Sequence, residues 1–329
     1  LPASSRPSSG AVIDVDLITP YLRHVASFID LQAIASSPLR LAYNAMHGAG
    51  LGLLHRILPE SPTFEFHPER DSTFRGIAPE PTAKNTEEFR QLVREKTFDL
   101  GLITDGDADR IGLCGPDGQF IDAQFIFSIA LEYLVESRQM NGKVCKTYAV
   151  SERVDRIAKK FELPLEILPI GFKHVAERMQ TGKVLMGGEE AGGLGISAYL
   201  PERDGLMMGL LIAECMAKRK SNLAALIAQL QNDYGELHYE RWDLKVAPEE
   251  RDAFVARWAA PGPSHIAGLA VTRFETLDGI KFFFGNGGWL LVRVSGTEPV
   301  VRLYCEMPTL AQTREVLEWT KQYQGPSQQ

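Results

Sequence analysis

Thr104-Asp105-Gly106-Asp107-Ala108-Asp109-Arg110 closes the apolar run Leu100 to Ile103, and the rest of the chain is read outward from it. In an extended loop, residues two apart project to the same side, so Asp105, Asp107 and Asp109 can converge on one hard cation. An all-oxygen donor set suits Mg²⁺. Without a cation, three carboxylates so close repel one another, and one or more holds its proton. Arg110 adds a planar donor fork that fits phosphate or carboxylate. A bare D-x-D-x-D reads more simply as a solvated acidic turn. The small residues at 106 and 108, the strand before and Arg110 after shift the reading to a metal site that handles phosphate. An EF-hand needs Gly at the sixth place and Glu at the twelfth; Arg110 and Pro116 stand there, which excludes it. A phosphatase with Asp105 as nucleophile stays open, although Asp109 departs from its usual pattern.

The length of 329 residues suggests two or three domains, and 44% hydrophobic with 23% charged residues is the balance of an ordinary soluble protein. A net charge of −7 leaves no basic excess to neutralise phosphates, so no nucleic-acid partner is expected. No apolar run has membrane-spanning length, and the Ser- and Pro-rich Leu1 to Gly10 lacks the apolar core of a signal peptide. Cys114, Cys145, Cys215 and Cys305 form no C-x-x-C pair, which points to reduced thiols in a cytoplasmic protein.

Leu39 to Ala45 reads as a strand, followed by His47-Gly48-Ala49-Gly50-Leu51-Gly52 and a helix to Leu58. Leu53 stands where a dinucleotide fingerprint wants its third glycine, so a tight turn is expected rather than a nicotinamide site. Asn85 and Glu88 have the spacing of a capping box for a helix carrying Phe89, Leu92 and Val93. Ile111 to Cys114 and Phe120 to Ile121 flank Pro116-Asp117-Gly118 as a hairpin. Helix Phe125 to Val135, strand Val144 to Val150, helix Ser151 to Phe161, strand Leu165 to Ile170, a helix opening at Gly171-Phe172-Lys173-His174, strand Val184 to Met186, and helices Gly205 to Lys218 and Leu223 to Leu230 make a second α/β unit.

From Leu237 the pattern changes. Ala267 to Phe274, Ile280 to Phe284 and Trp289 to Val294 are closely spaced strands, the last two joined at Asn286-Gly287. Helices Pro248 to Trp258 and Leu310 to Tyr323 flank them, the second with a Thr309–Gln312 capping box. The fold class is therefore α/β: two consecutive α/β domains followed by a smaller α+β domain with an antiparallel sheet. Arg293-Val294-Ser295-Gly296-Thr297-Glu298-Pro299, followed by Arg302, reads as an anion cradle rather than a plain hairpin connection. Glycine exposes backbone N–H groups, hydroxyls donate, and two arginines supply charge. Glu189 and Glu190, in a glycine-rich loop at a strand end, suit acid/base work or hydrogen bonds from hydroxyls, with an exposed acidic turn as the plain alternative.

In order, Asn44-Ala45-Met46-His47-Gly48-Ala49-Gly50, Pro79-Glu80-Pro81, Asp105 to Arg110, Gly171-Phe172-Lys173, Gly188 to Gly193, Asp204-Gly205 and Arg293 to Pro299 resemble the motifs of the α-D-phosphohexomutase family, the phosphoglucomutases and phosphomannomutases. The resemblance implies four domains around a cleft, with a phosphoserine loop, a metal loop, a sugar loop and a phosphate loop. It implies Mg²⁺ on Asp105, Asp107 and Asp109. Arg110 and Lys173 become the catalytic candidates, Arg110 at the transferring phosphoryl group and Lys173 helping to hold substrate. Glu189 and Glu190 would meet the sugar, and Arg293, Ser295, Gly296, Thr297 and Arg302 the phosphate that is not reacting. Small-molecule sugar phosphates are the implied partners, with glucose 1,6-bisphosphate as activator; oligomeric state is left open.

Departures from the family pattern sharpen the expectation. No stretch matches the family's Thr-Ala-Ser-His-Asn-Pro nucleophile loop, and Ser4-Ser5-Arg6-Pro7 lacks its His-Asn pair. Residues 1–11 are accordingly read as a linker or the remnant of a missing first domain. The metal-loop domain is 12–122, the sugar-loop domain 123–236 and the phosphate-loop domain 237–329. Ala191 stands where Ser is usual and Gly193 where some branches carry His; the Glu189-Glu190 pair resembles the glucose-preferring branch, and a phosphoglucosamine mutase would show Gln at 190. The expected reaction is interconversion of hexose 1-phosphate and hexose 6-phosphate, glucose before mannose, in a chain that lacks the nucleophile and is inactive alone. A non-catalytic sugar-phosphate binding protein is the remaining alternative.

Overall fold

The computed structural model describes residues 13–246, 248–258, 262–295 and 300–323. In the first α/β unit, β1 (Leu41–Asn44), β2 (Thr63–Phe66), β3 (Leu100–Thr104), β4 (Ile111–Cys114) and β5 (Phe120–Ile121) form one sheet in the order β2-β1-β3-β4-β5. β1 runs parallel to β2 and β3, whereas β4 and β5 return antiparallel. Helices α1 (Ile18–Phe28), α2 (Leu31–Ala35), α3 (Leu53–Ile57) and α4 (Glu87–Glu95) accompany it. β1, β3 and β4 are buried along their whole length, as expected of strands covered on both faces. Complete burial of Leu102 or Ile103 stabilises the fold by roughly 1.5–3 kcal/mol each.

The second unit repeats the plan. It comprises α5 (Ala123–Glu132), β6 (Lys143–Thr147), α6 (Glu152–Lys160), β7 (Leu165–Leu168), α7 (Phe172–Met179), β8 (Val184–Gly188), β9 (Leu194–Ile196), α8 (Gly205–Arg219) and α9 (Leu223–Tyr234). Its sheet order, β7-β6-β8-β9, with β6 parallel to β7 and β8 and with β9 antiparallel, follows the first four strands of the first unit's sheet. One apolar core runs through both, because α8 packs on β3 and β4 as well as on β9. Buried Glu214 of α8 ties the units further, accepting from Tyr133 and Arg138 and from the Asp30 amide. A buried carboxylate is tolerable only when so fully partnered.

The third unit is an antiparallel sheet in the order β10-β15-β14-β13-β12-β11. Its elements are β10 (His238–Lys245), α10 (Pro248–Ala256), β11 (His265–Ile266), β12 (Leu269–Glu275), β13 (Ile280–Phe284), β14 (Trp289–Val294), β15 (Val300–Met307) and α11 (Leu310–Gln322). One face packs Trp258, Phe282, Leu290, Leu303 and Leu317 into a separate core. The other lays Trp289, Leu291 and Tyr304 on Tyr148 and Ala149 of the second unit. Lys281 Nζ donates across that boundary to the Tyr148 carbonyl at 3.0 Å, and the Glu152 amide donates to Glu306 Oε1 at 2.9 Å. Among the described residues no helix is long and apolar enough to cross a membrane.

Several local expectations are corrected. The Asn85–Glu88 capping box does not form: Thr86 holds the N-cap position without a side-chain cap, and Asn85 Nδ2 donates to the Glu80 carbonyl at 3.2 Å. The strand expected to reach Val150 ends at Thr147, where a turn returns the Val150 amide to the Thr147 carbonyl and frees Ser151 to cap α6. The strand expected to reach Ile170 stops at Leu168, since Pro169 has no N–H for the ladder. The helix expected to run to Val135 widens from Tyr133 into a π-turn. Thr309 Oγ1 caps the Gln312 amide at 3.2 Å, but the return bond of the box is not made. Strands β2, β9, β10, β11 and β15 and helices α1 and α2 were not anticipated.

Candidate functional site

Loops after β1, β3, β6 and β8 emerge from the carboxyl ends of parallel strands, where open α/β sheets gather their ligand sites. The loop after β3 is braced on three sides. The Gly106 amide donates to the Pro79 carbonyl at 3.1 Å, the Ala49 amide to the Gly106 carbonyl at 2.9 Å, and the Gly205 amide to the Ala108 carbonyl at 3.0 Å. The glycine loop at 47–52 is thus a turn, as expected, and it supports its neighbour. In this frame ligand atoms of Asp105, Asp107 and Asp109 lie within 4.8 Å of one another. Three carboxylates converging from one fixed loop fit a hard divalent cation such as Mg²⁺.

Asp105 is buried, and Arg110 binds it twice, through its amide at 3.0 Å and its Nε at 2.5 Å. Asp109 is paired with Arg203, and Asp107 faces solvent. Burial raises the Asp109 carboxyl to about 6; Arg203 opposes this, and the charges of Asp105 and Asp107 add to it. A cation among the three favours their charged forms.

The acidic loop after β3 and the glycine-rich loop after β8 are joined backbone to backbone. The Ile111 amide donates to the Gly192 carbonyl at 3.1 Å, and Arg110 bridges Gly193. Gly192 has φ +103, and a Cβ there would stand 2.6 Å from the Ile111 carbonyl oxygen, so glycine alone permits this approach. Glu189, 8% exposed, accepts from Arg203 Nη1 at 3.2 Å. Burial and then the Glu190 charge lift Glu189 to about 7, with Arg203 opposing. Glu190 accepts from Thr147 Oγ1 at 3.0 Å, its carboxyl raised by burial. The two carboxylates thus line one cleft but take different hydrogen-bond partners.

Across a cleft of about 520 Å³, lined by Arg110, Glu189, Glu190 and Ala191, stand Tyr239, Arg241, Asp243 and Arg302 of the third unit. Arg293 and Arg302 are directly opposed on β14 and β15, and Asp243 opposes Arg302 on β10. Arg293 Nε donates to Asp278 Oδ1 at 2.9 Å. Ser295 is buried at the mouth of the expected cradle; Gly296 and Thr297 lie outside the described residues. Lys173 is exposed on the first turn of α7 and is not among the residues lining the cleft.

Arg203, Arg241, Asp243 and Asp278 were not singled out in the sequence. Arg203 directly precedes Asp204-Gly205, a position that could have drawn attention to it. Asp204 itself is structural: it caps α8 at the Met207 amide and accepts from Tyr21 and Tyr199.

Three models of phosphoglucomutase/phosphomannomutase domains match in sequence: α/β/α domain II over residues 19–118, α/β/α domain III over 122–234, and the C-terminal domain over 244–319. A phosphoglucomutase/phosphomannomutase of Thermococcus kodakarensis is 30% identical over 92% of this chain and 64% of its own length. A protein of Methanothermobacter thermautotrophicus, named as a phosphoglucosamine mutase, is 28% identical over 95% of this chain and 66% of its own. The chain thus spans slightly under two thirds of each. A solved structure from Thermus thermophilus, assigned as a phosphomannomutase, superposes with a TM-score of 0.84 at 29% identity, covering 97% of this chain and 68% of that one.

Proposed function

This chain belongs to the phosphoglucomutase/phosphomannomutase family, and on that premise we propose that it carries the metal, sugar and phosphate sites of a Mg²⁺-dependent phosphohexomutase. The reaction is interconversion of hexose 1-phosphate and hexose 6-phosphate, glucose preferred and mannose accepted, with glucose 1,6-bisphosphate as activator. One observation carries the reading: the acidic loop and the sugar loop are locked together by the Ile111–Gly192 bond, and they face arginines across a single cleft.

Asp105, Asp107 and Asp109 would hold the cation, which supplies charge neutralisation at a phosphoryl group. Arg110 orients Asp105 and offers its remaining donors to the phosphoryl oxygens. Glu189 accepts from sugar hydroxyls, its rotamer fixed by Arg203. Arg293, Ser295 and Arg302, with Gly296 and Thr297, grip the phosphate that is not reacting, which lets the sugar turn over between half-reactions. Lys173 would join them only after α7 or the sugar shifts towards the cleft.

Storing the phosphoryl group between half-reactions needs a nucleophile, and none of these 329 residues matches the family's serine loop. The chain by itself should therefore bind glucose 6-phosphate in the presence of Mg²⁺ but not convert glucose 1-phosphate. Calorimetry together with a coupled glucose 6-phosphate assay tests both halves. Absence of sugar-phosphate binding overturns the site reading, and sustained turnover free of host mutase overturns the assignment of the nucleophile.

A further inference from the structure

Asp278, in the turn between β12 and β13, divides its two carboxylate oxygens between two parts of the molecule. Oδ1 accepts from Arg293 Nε at 2.9 Å, and Oδ2 accepts from the Ile170 amide at 2.8 Å. Arg293 lies near the end of β14, where the phosphate loop begins. Ile170 lines the cleft and immediately precedes Gly171-Phe172-Lys173. The ion pair is shielded, with side-chain exposure of 14% for Arg293 and 22% for Asp278.

The turn is shaped for this contact. Gly279 has φ +90, and a Cβ there would meet the Val292 carbonyl oxygen at 2.6 Å and Arg293 Cβ at 3.0 Å. Only glycine lets the turn lie against Arg293. A guanidinium has five N–H donors in a rigid fork. The bond to Nε uses one edge and leaves the terminal nitrogens for an anion.

We propose that Asp278 is a positioning residue for sugar phosphate: it presents the Arg293 fork in one orientation and ties it to Ile170 of the cleft lining, which also carries Glu189 and Glu190, so that the phosphate grip and the opposite wall of the cleft keep a fixed spacing. This role rests on the reading of the cleft as a sugar-phosphate site. Inorganic phosphate feels only the orientation of Arg293. A hexose phosphate, which spans from the third unit to the sugar loop, feels the spacing as well.

In Asp278→Asn one oxygen becomes an NH₂ group that must face either Arg293 Nε–H or the Ile170 N–H, donor against donor, so one link breaks. Tyr148→Phe is the control, since it removes a neighbouring contact between the same two units, Tyr148 Oη to Glu275 at 3.4 Å, without touching Arg293. The 329-residue chain with Mg²⁺ is titrated calorimetrically with inorganic phosphate and with glucose 6-phosphate, and exchange of the Ile170 amide is followed. In Asp278→Asn the dissociation constant should rise about fivefold for phosphate and about thirtyfold for glucose 6-phosphate, losses typical of one or two charge-assisted hydrogen bonds. Ile170 exchange should quicken there without general loosening of the third unit. Tyr148→Phe should leave both constants within about twofold. If Asp278→Asn does not fold, Asp278→Glu keeps the charge but not the two-way reach; its phosphate constant should stay within about threefold while that for glucose 6-phosphate rises about tenfold. Unchanged constants in the folded Asp278 variant, or an equal loss in Tyr148→Phe, overturn the role of Asp278 alone. A wild-type chain that binds phosphate but no glucose 6-phosphate overturns the sugar-phosphate reading, and this role with it.

Discussion

Arg203 stands between Asp109 and Glu189: one guanidinium nitrogen pairs with Asp109, and another lies 3.2 Å from Glu189 Oε1. A carboxylate of the acidic loop and one of the glycine-rich loop thus share a counter-charge, whose guanidinium lies over the Phe172 ring. Arg203→Met keeps much of the stem and removes the charge. It should destabilise the chain by roughly 1–3 kcal/mol, the cost of leaving shielded acceptors unpaired. The midpoint of urea unfolding measures this, and an unchanged midpoint would show that solvent already screens the pair.

Asp107 is the member of the acidic triad that faces solvent, while Asp105 is engaged by Arg110 and Asp109 by Arg203. Its removal subtracts a cation ligand with the least disturbance of the loop. Asp107→Ala should leave the unfolding midpoint almost unchanged and raise the Mg²⁺ dissociation constant about tenfold or more. Titration calorimetry decides, and equal affinities would refute the metal site.

Arg293→Ala should weaken glucose 6-phosphate binding at least about tenfold and glucose binding hardly at all, because the lost contact is a charge-assisted one to phosphate. Equal weakening of both ligands would mean that Arg293 supports the cleft lining at Ile170, through Asp278, rather than gripping the phosphate.

Lys281 carries the clearest pH signature. Burial, with Lys146 beside it, draws its pKa down from 10.5 to about 8, against the pull of Glu152, Asp155 and Glu306. Between those two values the unfolded chain holds a proton that the folded chain has released, so this group's contribution to stability rises with pH across the window. Below pH 8 the contribution is flat. Lys281→Met removes it. The difference in unfolding free energy, wild type minus mutant, should grow by about 1–3 kcal/mol from pH 8 to 10.5. The buried cysteines and tyrosines, which burial lifts above this range in the folded chain and which titrate there only when unfolded, are common to both proteins and drop out of that difference; a flat difference would contradict the shift.

The elements that could be read from the chain are those whose signal is local. Apolar runs such as Leu100 to Ile103 announce strands, Ser151 announces a cap, and D-x-D-x-D announces convergent carboxylates, because each depends on neighbours a few residues away. The Asn85 cap failed for the complementary reason: Asn85 has a second partner, the Glu80 carbonyl, that spacing does not weigh. Strands β10 and β15 do alternate, with Trp242, Leu244, Val301, Leu303, Cys305 and Met307 on the core face and Arg241, Asp243, Arg302 and Glu306 on the other; their signal was legible and was missed.

The sequence by itself determined the class of fold, the acidic Asp105–Asp109 stretch, the glycine-rich Glu189-Glu190 stretch and the arginine-bracketed stretch from Arg293, and in their order the family resemblance. Only the tertiary structure decided how they are joined. Glu189 and Glu190 take different partners, Arg203 bridges Asp109 of one loop and Glu189 of another, and Asp278, which holds Arg293, reaches Ile170 across 108 residues of chain. These relations arise when parallel strands bring their carboxyl ends to one edge and a third sheet closes over them. Spacing along a chain carries information about neighbours in an element, whereas a contact between units depends on packing that no short stretch contains.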